Sequence, residues 1–429
     1  MKTHYDHIAE DGHTLVVLGS MEEFVELVRR ARGRGYRTIV CDGYADGPAR
    51  AEADASHVID IRDTDAVARM CRDEGADGII TSFSDLLAQC YADIAQAAGL
   101  PAYLRPDQLV HLRDKARMKQ MFDQLGIAYP RTARVRRESL VDDLRDLRFP
   151  CVSKPSDSWG SRGVHVLYDA SEVASVFDEV SQYADEDYIL VEEYNDGYEF
   201  NVTSWVVDGV PVVLAIADRE KTQGRRGDIP HSMRNVYPSF YTARLQDQCQ
   251  GILARVARFL GYENGPLCMQ MFWSPERGIE VCECAGRIFG YEHDLLEYAS
   301  AGAVSIEELL LDRVYDPDNI ARRLVGHSPQ LPRCAAVLYW QGYDGQLAQV
   351  SGFPQMGEPC VVRSQAFYAP GDMVHHGDQP YFAYAYLDGD DRVQIDELTD
   401  HYFATAHAEA VDGSELLYPN VRMRYKEED

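Results

Sequence analysis

The first hundred residues alternate short apolar runs with amphipathic stretches. Residues 14–19 are an apolar run ending in Gly19, and residues 22–32 carry Phe24, Leu27, Val28 and Ala31 at helical spacing. Residues 37–42 read as a second strand and 57–60 as a short third. Residues 64–74 read as a helix, 78–81 as a fourth strand and 86–99 as a helix. This rhythm predicts a parallel sheet with helices on both faces. Gly19 closes a strand at the end where open sheets bind ligands, but no GxGxxG follows, which disfavours a dinucleotide site.

Pro101 and Pro106 flank a linker, and residues 107–125 read as one helical stretch stopped by Gly126 and Pro130. From Pro150 the pattern changes to antiparallel strands. Residues 188–193 are an apolar run, and 200–207 with 210–217 form a hairpin about Asp208-Gly209. Residues 267–273 and 278–284 form another about Ser274-Pro275-Glu276-Arg277, followed by helices at 292–300 and 305–312. The tail from Leu331 is rich in strands (335–340, 360–368, 381–387), with a last helix at 396–411. There is no internal repeat and no low-complexity segment.

Composition narrows the function classes. The chain has 429 residues and a formal charge of −28, which argues against a broad basic face for nucleic acid or anionic lipid. No stretch approaches the roughly 20 apolar residues of a membrane helix. The polar first residues lack an apolar signal core, so a cytoplasmic protein is expected. Ten cysteines without a CxxC pair read as buried thiols in a reducing compartment, or else as a metal or redox site, with Cys282 and Cys284 the nearest pair. Only six of the 42 basic residues are lysine, so the position of each one matters.

Three segments carry candidate chemistry. Lys154 ends a strand (Cys151-Val152-Ser153-Lys154) and precedes a small-residue loop with Ser158, Trp159, Gly160, Ser161 and Gly163. Such a loop lets backbone N–H groups approach phosphate oxygens while the lysine adds a point charge; the alternative is a plain hairpin loop. The apolar strand leading to Glu192, Glu193, Tyr194 and Asn195, then Glu199, suits an adenine hinge with a ribose-binding carboxylate, or else a strand end with solvated acids. In the third segment, Gln270 faces Glu283 across a hairpin by period-two alternation, with Arg287 four residues further. Oxygen ligands there suit Mg²⁺, and the arginine suits a transferring phosphoryl group; otherwise it is a surface arginine.

The order of these segments resembles the ATP-grasp superfamily, which includes D-alanine–D-alanine ligase, biotin carboxylase and L-amino acid ligases. Leu112-Arg113-Asp114-Lys115-Ala116 through Gly126-Ile127-Ala128-Tyr129-Pro130 resembles the family's opening, and Glu283-Cys284-Ala285-Gly286-Arg287 resembles its E-x-N-x-R motif. The resemblance implies Lys115 and Lys154 as phosphate-binding lysines and residues 158–163 as a phosphate-covering loop. It implies residues 192–195 as the hinge, Glu199 as ribose acceptor, Glu283 with Gln270 as metal ligands, and Arg287 as the catalytic arginine. Gln270 stands where most members have Glu, and Ala285 where many have Asn. His231 occupies a place comparable to that of a histidine facing the acyl phosphate in bacilysin-type ligases. Arg219, Lys221, Tyr291 and Ser82 are candidates for substrate binding, and Trp159, Tyr237, Tyr241 and the loop 82–85 for lining the pocket.

The implied architecture is α/β and α+β, multidomain. A Rossmann-like parallel-sheet domain spans 1–106. The ATP-grasp core has two antiparallel-sheet lobes, at 107–189 and 190–330, and a strand-rich C-terminal subdomain spans 331–429. The implied cofactors are ATP with Mg²⁺, or Mn²⁺ in its place. The leading expectation is a ligase that activates a small-molecule carboxylate as an acyl phosphate and joins it to an amine, plausibly an amino acid. Two alternatives stand beside it: transfer of the acyl group to a carrier protein, and a nucleotide-binding protein with little turnover, which Gln270 and Ala285 motivate. A homodimer is the open reading for self-association.

Overall fold

The structure is a computed structural model that describes residues 12–156, 163–184, 186–222, 230–290, 292–375 and 381–425. Strands β1 (Thr14–Leu18), β2 (Arg37–Asp42), β3 (Ala55–Val58) and β4 (Gly78–Ile80) form the expected parallel sheet in the order β3-β2-β1-β4. Helices α1 (Val25–Gly33), α2 (Thr64–Asp73) and α3 (Asp85–Ala98) alternate with them. Leu15 to Leu18 and Ile39 to Cys41 are fully buried, as in strands covered on both faces. The third strand begins at Ala55 rather than at His57. Because the chain runs from β1 to β2 and β3 on one side and returns to β4 on the other, strand order reverses between β1 and β4. Crevices at such reversals, beyond the strands' C-terminal ends, are where open sheets place ligands. The loop 82–85 leaves β4 there.

The single helix expected over 107–125 is two helices, α4 (Pro106–Arg113) and α5 (Lys115–Leu125). Asp114 separates them. It takes an extended conformation (φ −75°, ψ 108°), and its carboxylate accepts from the amides of Ala116 and Arg117, capping α5. Lys115 therefore starts a helix. Gly126, left-handed at φ 61°, ends it.

Four strands form a small antiparallel sheet: β5 (Thr132–Val135), β6 (Cys151–Lys154), β7 (His165–Leu167) and β8 (Ile189–Glu193), in the order β5-β8-β6-β7. Helices α6 (Leu140–Leu144) and α7 (Ala170–Ser181) pack on it through Leu140, Leu144, Val173 and Phe177.

A larger sheet follows. Its strands are β9 (Tyr198–Val207), β10 (Val210–Lys221), β11 (Ser232–Tyr237), β12 (Gly265–Pro266), β13 (Cys268–Ser274), β14 (Gly278–Ala285) and β15 (Cys334–Trp340). Helix α8 (Thr242–Leu260) lies between β11 and β12; α9 (His293–Ala299), α10 (Ile306–Tyr315) and α11 (Pro317–Leu324) precede β15. The tail adds β16 (Gly345–Ser351), β17 (Val361–Ala366), β18 (Met373–Val374) and β19 (Ala383–Gly389), then α12 (Arg392–Thr405) and β20 (His407–Ala410). The large sheet runs β14-β13-β9-β10-β11-β15-β19-β17, with β12 paired to β9. It crosses without a break from the 198–285 segment into the tail, while β18-β16-β20 form a separate small sheet. The last helix is earlier than the expected 396–411. Asp391 caps its start, the extended Ala406 ends it, and residues 407–410 are strand. Among the described residues, no helix is long and apolar enough to cross a membrane.

One buried polar network ties the tail to the large sheet. The fully buried Arg234 guanidinium reaches Glu220 Oε1 at 2.7 Å, Asp396 Oδ1 at 2.8 Å and Thr399 Oγ1 at 2.9 Å. Glu220 also accepts from the Met423 amide and the Tyr425 hydroxyl. Removing one partner of a buried pair leaves the other charge uncompensated, at a cost of about 3–5 kcal/mol. Arg234→Met should lower the urea-unfolding free energy by about that amount; a loss within ±0.5 kcal/mol, as for ordinary surface changes, would contradict it.

Candidate functional site

The site starts from one acid among lysines. Glu192, near the end of β8, is buried, and β8 pairs with β6 so that it lies opposite Val152, two residues before Lys154. Its carboxylate forms an ion pair with the Lys154 ammonium and approaches Lys119 Nζ at 3.1 Å. Burial alone would raise its pKa, but Lys119 and Lys154 prevail and hold it at about 2. Lys154 is held charged: desolvation would lower its pKa, yet Glu192 raises it above the usual lysine range. Lys119, also over the Tyr129 ring at 4.6 Å, is lowered by burial. Lys115 lies one helical turn before Lys119 and is lowered by burial and by Lys154; Glu283, Glu192 and Asp85 oppose this. Lys119 was not among the sequence candidates, although its i,i+4 spacing from Lys115 places both on one face of α5.

The expected hinge residues make these contacts. The Glu193 carboxylate takes the Arg148 amide at 3.0 Å and its guanidinium at 3.2 Å. The amides of Glu193 and Tyr194 donate to the carbonyls of Arg131 and Pro150. Asn195 bridges Glu280, the Gly197 amide and Arg277. Gly163 is left-handed at φ 67° against Tyr183 and Pro155. Ser158, Trp159, Gly160, Ser161 and Tyr291 lie outside the described residues.

The hairpin β13–β14 sets Gln270 directly opposite Glu283, and a bulge beside that pair inserts Cys282 into the ladder. Burial pushes the Cys282 thiol up to about 11; Lys154, Glu192 and Glu283 are among its charged neighbours. Gln270 Nε2 donates to Glu199 Oε1 at 2.6 Å. The Glu199 carboxylate is also gripped by Arg219 Nε and Lys221 Nζ, each at 3.1 Å. Thus Glu199, Gln270, Arg219 and Lys221 form one cluster next to Glu283, with the Glu199 carboxylate turned to the two cations and the amide.

Arg287 joins this hairpin to the parallel-sheet domain. Its Nε and Nη2 each donate to one Asp85 oxygen at 2.8 Å, a bidentate pair. Asp85, the first residue of α3, keeps a low pKa because Arg287 and Lys115 outweigh its desolvation. The adjacent Ser82 hydroxyl accepts from the Ile288 amide at 3.1 Å, fixing the loop on the other side. The remaining guanidinium nitrogen, Nη1, is buried without a hydrogen-bond partner among the described residues. Gly286 lets the turn approach the linker closely, since a Cβ there would meet Leu104 and Leu112 at 3.1 Å.

Glu292 is a residue the sequence reading missed. It is buried and accepts from Asn201 and Asn235 at 2.8 Å and from Tyr237 at 3.0 Å, and burial raises its pKa. Arg219 and Arg287 are its charged neighbours. Tyr237 thus faces this acid, whereas Tyr241 packs among Tyr198, Trp273 and Tyr425. His231 precedes β11, its amide donating to Thr222 and its ring 5.9 Å from that of Tyr418.

Residues 147–293 match the family model of the ATP-grasp domain. The chain carries an ATP-grasp domain. The matched span holds Lys154, Glu192, Glu283 and Arg287, while Lys115, Lys119 and Asp85 come from outside it. Over 159 residues the chain is 28% identical to the carbamoyl phosphate synthase large chain of Vibrio vulnificus, covering 36% of this chain and 14% of that one. Over 264 residues it is 26% identical to the formate-dependent phosphoribosylglycinamide formyltransferase of Sulfurisphaera tokodaii, covering 59% and 64%. The chain therefore spans less than two thirds of either relative. In structure it is similar to the L-amino acid ligase from Bacillus licheniformis, with a TM-score of 0.78 at 16% identity over 94% of this chain and all of that one.

Glu192 supplies a pH test. A carboxylate depressed by bound lysines stabilises the fold fully above its unfolded pKa of about 4.5 and loses that contribution as pH falls toward about 2. Glu192→Gln should cost about 3–5 kcal/mol at pH 7, and the gap to the parent should narrow as pH drops below about 4.5. A gap that stays constant, or widens in acid, in urea unfolding at several pH values would contradict the placement of this charge.

Proposed function

We propose that the chain is an ATP-dependent carboxylate–amine ligase that forms an amide or peptide bond through an acyl phosphate, with an amino acid on at least one side. The observation that carries this reading is the convergence of cations on one site. Every lysine among the described residues is there: Lys115, Lys119, Lys154 and Lys221. Arg219 and Arg287 join them. Cations so concentrated in a chain of charge −28 suit a polyanionic substrate such as a nucleoside triphosphate. The likeness in fold to an L-amino acid ligase across nearly the whole chain supports the amino-acid part.

A divalent cation fits the donor set. The Glu283 carboxylate and the amide oxygen of Gln270, whose nitrogen is turned to Glu199, would hold Mg²⁺, or Mn²⁺ in its place, through oxygen alone. When bound, Mg²⁺ withdraws negative charge from the phosphate oxygens. In this reading Lys115 and Lys154 orient the phosphate chain, and Glu192 keeps Lys154 charged. The substrate carboxylate oxygen attacks the γ-phosphorus, the bond to the bridging oxygen breaks, and ADP leaves. The amine then attacks the acyl carbon, loses a proton and expels phosphate. Arg287 offers Nη1, the one guanidinium nitrogen not committed to a protein partner, to the charge that develops in each step. His231 is the proposed second group facing the acyl phosphate.

Purified protein with Mg-ATP, a panel of carboxylates and hydroxylamine should release ADP and form a hydroxamate only when the right carboxylate is present. Arg287→Met should lower that rate by about 10²–10³-fold, the usual loss on removing a donor to developing charge. ADP release with no carboxylate in the panel, or none at all, would count against the ligase reading.

A further inference from the structure

A second cluster lies beyond the site, at the start of α9 and α10. His293 and Asp294 open α9, and Glu307 lies in the first turn of α10. All three are buried, and one ligand atom of each lies within 4.8 Å of the others. His293 Nε2 is 3.4 Å from Asp294 Oδ1 and 3.4 Å from Glu307 Oε1. Neither contact is a hydrogen bond at that length. Among the described residues, Glu307 Oε1 and His293 Nδ1 have no hydrogen-bond partner, though His293 is only 5% and Glu307 2% exposed.

The outer oxygens are held by other groups. Ser305 Oγ donates to Glu307 Oε2 at 2.8 Å, and in turn receives Arg30 Nη1 at 2.7 Å. Asp294 Oδ2 lies 2.9 Å from Arg363 Nη2. Phe83 stacks on the imidazole at 4.4 Å and closes the cluster from the side of the parallel-sheet domain. Each carboxylate is thus braced by one oxygen and presents the other toward the same imidazole nitrogen.

We infer that His293, Asp294 and Glu307 form a structural site for a divalent transition cation, Zn²⁺ being the best match. The spacing carries the choice. Bonds of about 2.0–2.2 Å in a tetrahedron set ligand atoms about 3.3–3.5 Å apart, which is the spacing of Nε2 to both oxygens. An octahedral Mg²⁺ at about 2.0–2.1 Å would need about 2.9 Å and avoids imidazole. A bound cation would take Nε2 and the two carboxylate oxygens that face it. Asp294 pairs with Arg363 directly, while Glu307 meets Arg30 through the Ser305 hydroxyl, so the second carboxylate leaves negative charge for the cation to meet. The ion would lock α9 to α10 beneath Phe83, directly after Glu292, and so steady that acid in the site.

The test uses the full chain with Glu283→Gln, which removes the carboxylate ligand on the nucleotide side. After chelator treatment and dialysis against ZnCl₂ without nucleotide, elemental analysis should find one Zn²⁺ per chain. X-ray absorption should show one nitrogen and two protein oxygens at about 2.0–2.2 Å. Adding His293→Gln or Glu307→Gln should weaken retention by at least about tenfold and abolish the zinc-dependent rise in melting temperature. The inference fails if the Glu283→Gln protein retains no Zn²⁺, if its absorption spectrum lacks nitrogen, or if both variants hold as much as their parent. None of these outcomes depends on ligase activity.

Discussion

The Asp85 carboxylate holds the Arg287 guanidinium by two parallel hydrogen bonds, and the residues it joins are 202 positions apart. The pair ties together the two distant parts of the chain from which the site is assembled. Asp85 stands at the mouth of the parallel sheet, where strand order reverses; Arg287 stands at the end of the hairpin that bears Gln270 and Glu283. A bidentate Arg–carboxylate pair fixes direction as well as distance, which a lysine could not do. It also decides which guanidinium nitrogen remains for a ligand. Removing the carboxylate would leave a buried cation to find other partners, so the pair determines both the docking of the leading domain and the aim of the arginine.

Around it, the protein collects cations and restrains each with an acid. Glu192 sits among Lys119 and Lys154, and Glu199 among Arg219, Lys221 and Gln270. Like charges gathered this closely repel, and burial disfavours every one of them; the interspersed carboxylates make the arrangement tolerable in the absence of a polyanion. A ligand that carries its own negative charge would compete for the same cations, which is how such a site can be preorganised without collapsing. The rest of the chain is acidic, so the local excess of positive charge is a property of the fold and not of the composition.

What the sequence made legible was local. Alternation along 267–284 placed Gln270 opposite Glu283, Asp208-Gly209 marked its hairpin, and Gly126 marked the end of the helix that carries Lys115. What it did not reveal depends on tertiary placement or on patterns passed over. Helix α8 carries Leu245, Cys249, Ile252, Leu253, Val256 and Leu260 on its buried face, a readable period that the strand-rich context obscured. Asp114 was part of a continuous helical pattern until its side chain was seen capping α5. Asp85 had no visible partner, because Arg287 lies far along the chain. Glu192 read as part of an adenine hinge or else a solvated strand end, and its burial between lysines was hidden because they come from another strand and a helix. Glu292 and the His293–Asp294–Glu307 cluster gave no signal in spacing at all.

In the proposed reaction, Asp85 positions Arg287. A double-mutant cycle tests it most directly: carboxylate-dependent ADP release by the parent, Asp85→Asn, Arg287→Met and the double variant, with binding of an ATP analogue measured alongside. Asp85→Asn should slow turnover while leaving analogue affinity within a factor of about two, and the double variant should be no slower than Arg287→Met alone, a coupling of about 1–3 kcal/mol. Additive losses, or an Asp85→Asn protein as fast as the parent, would contradict it.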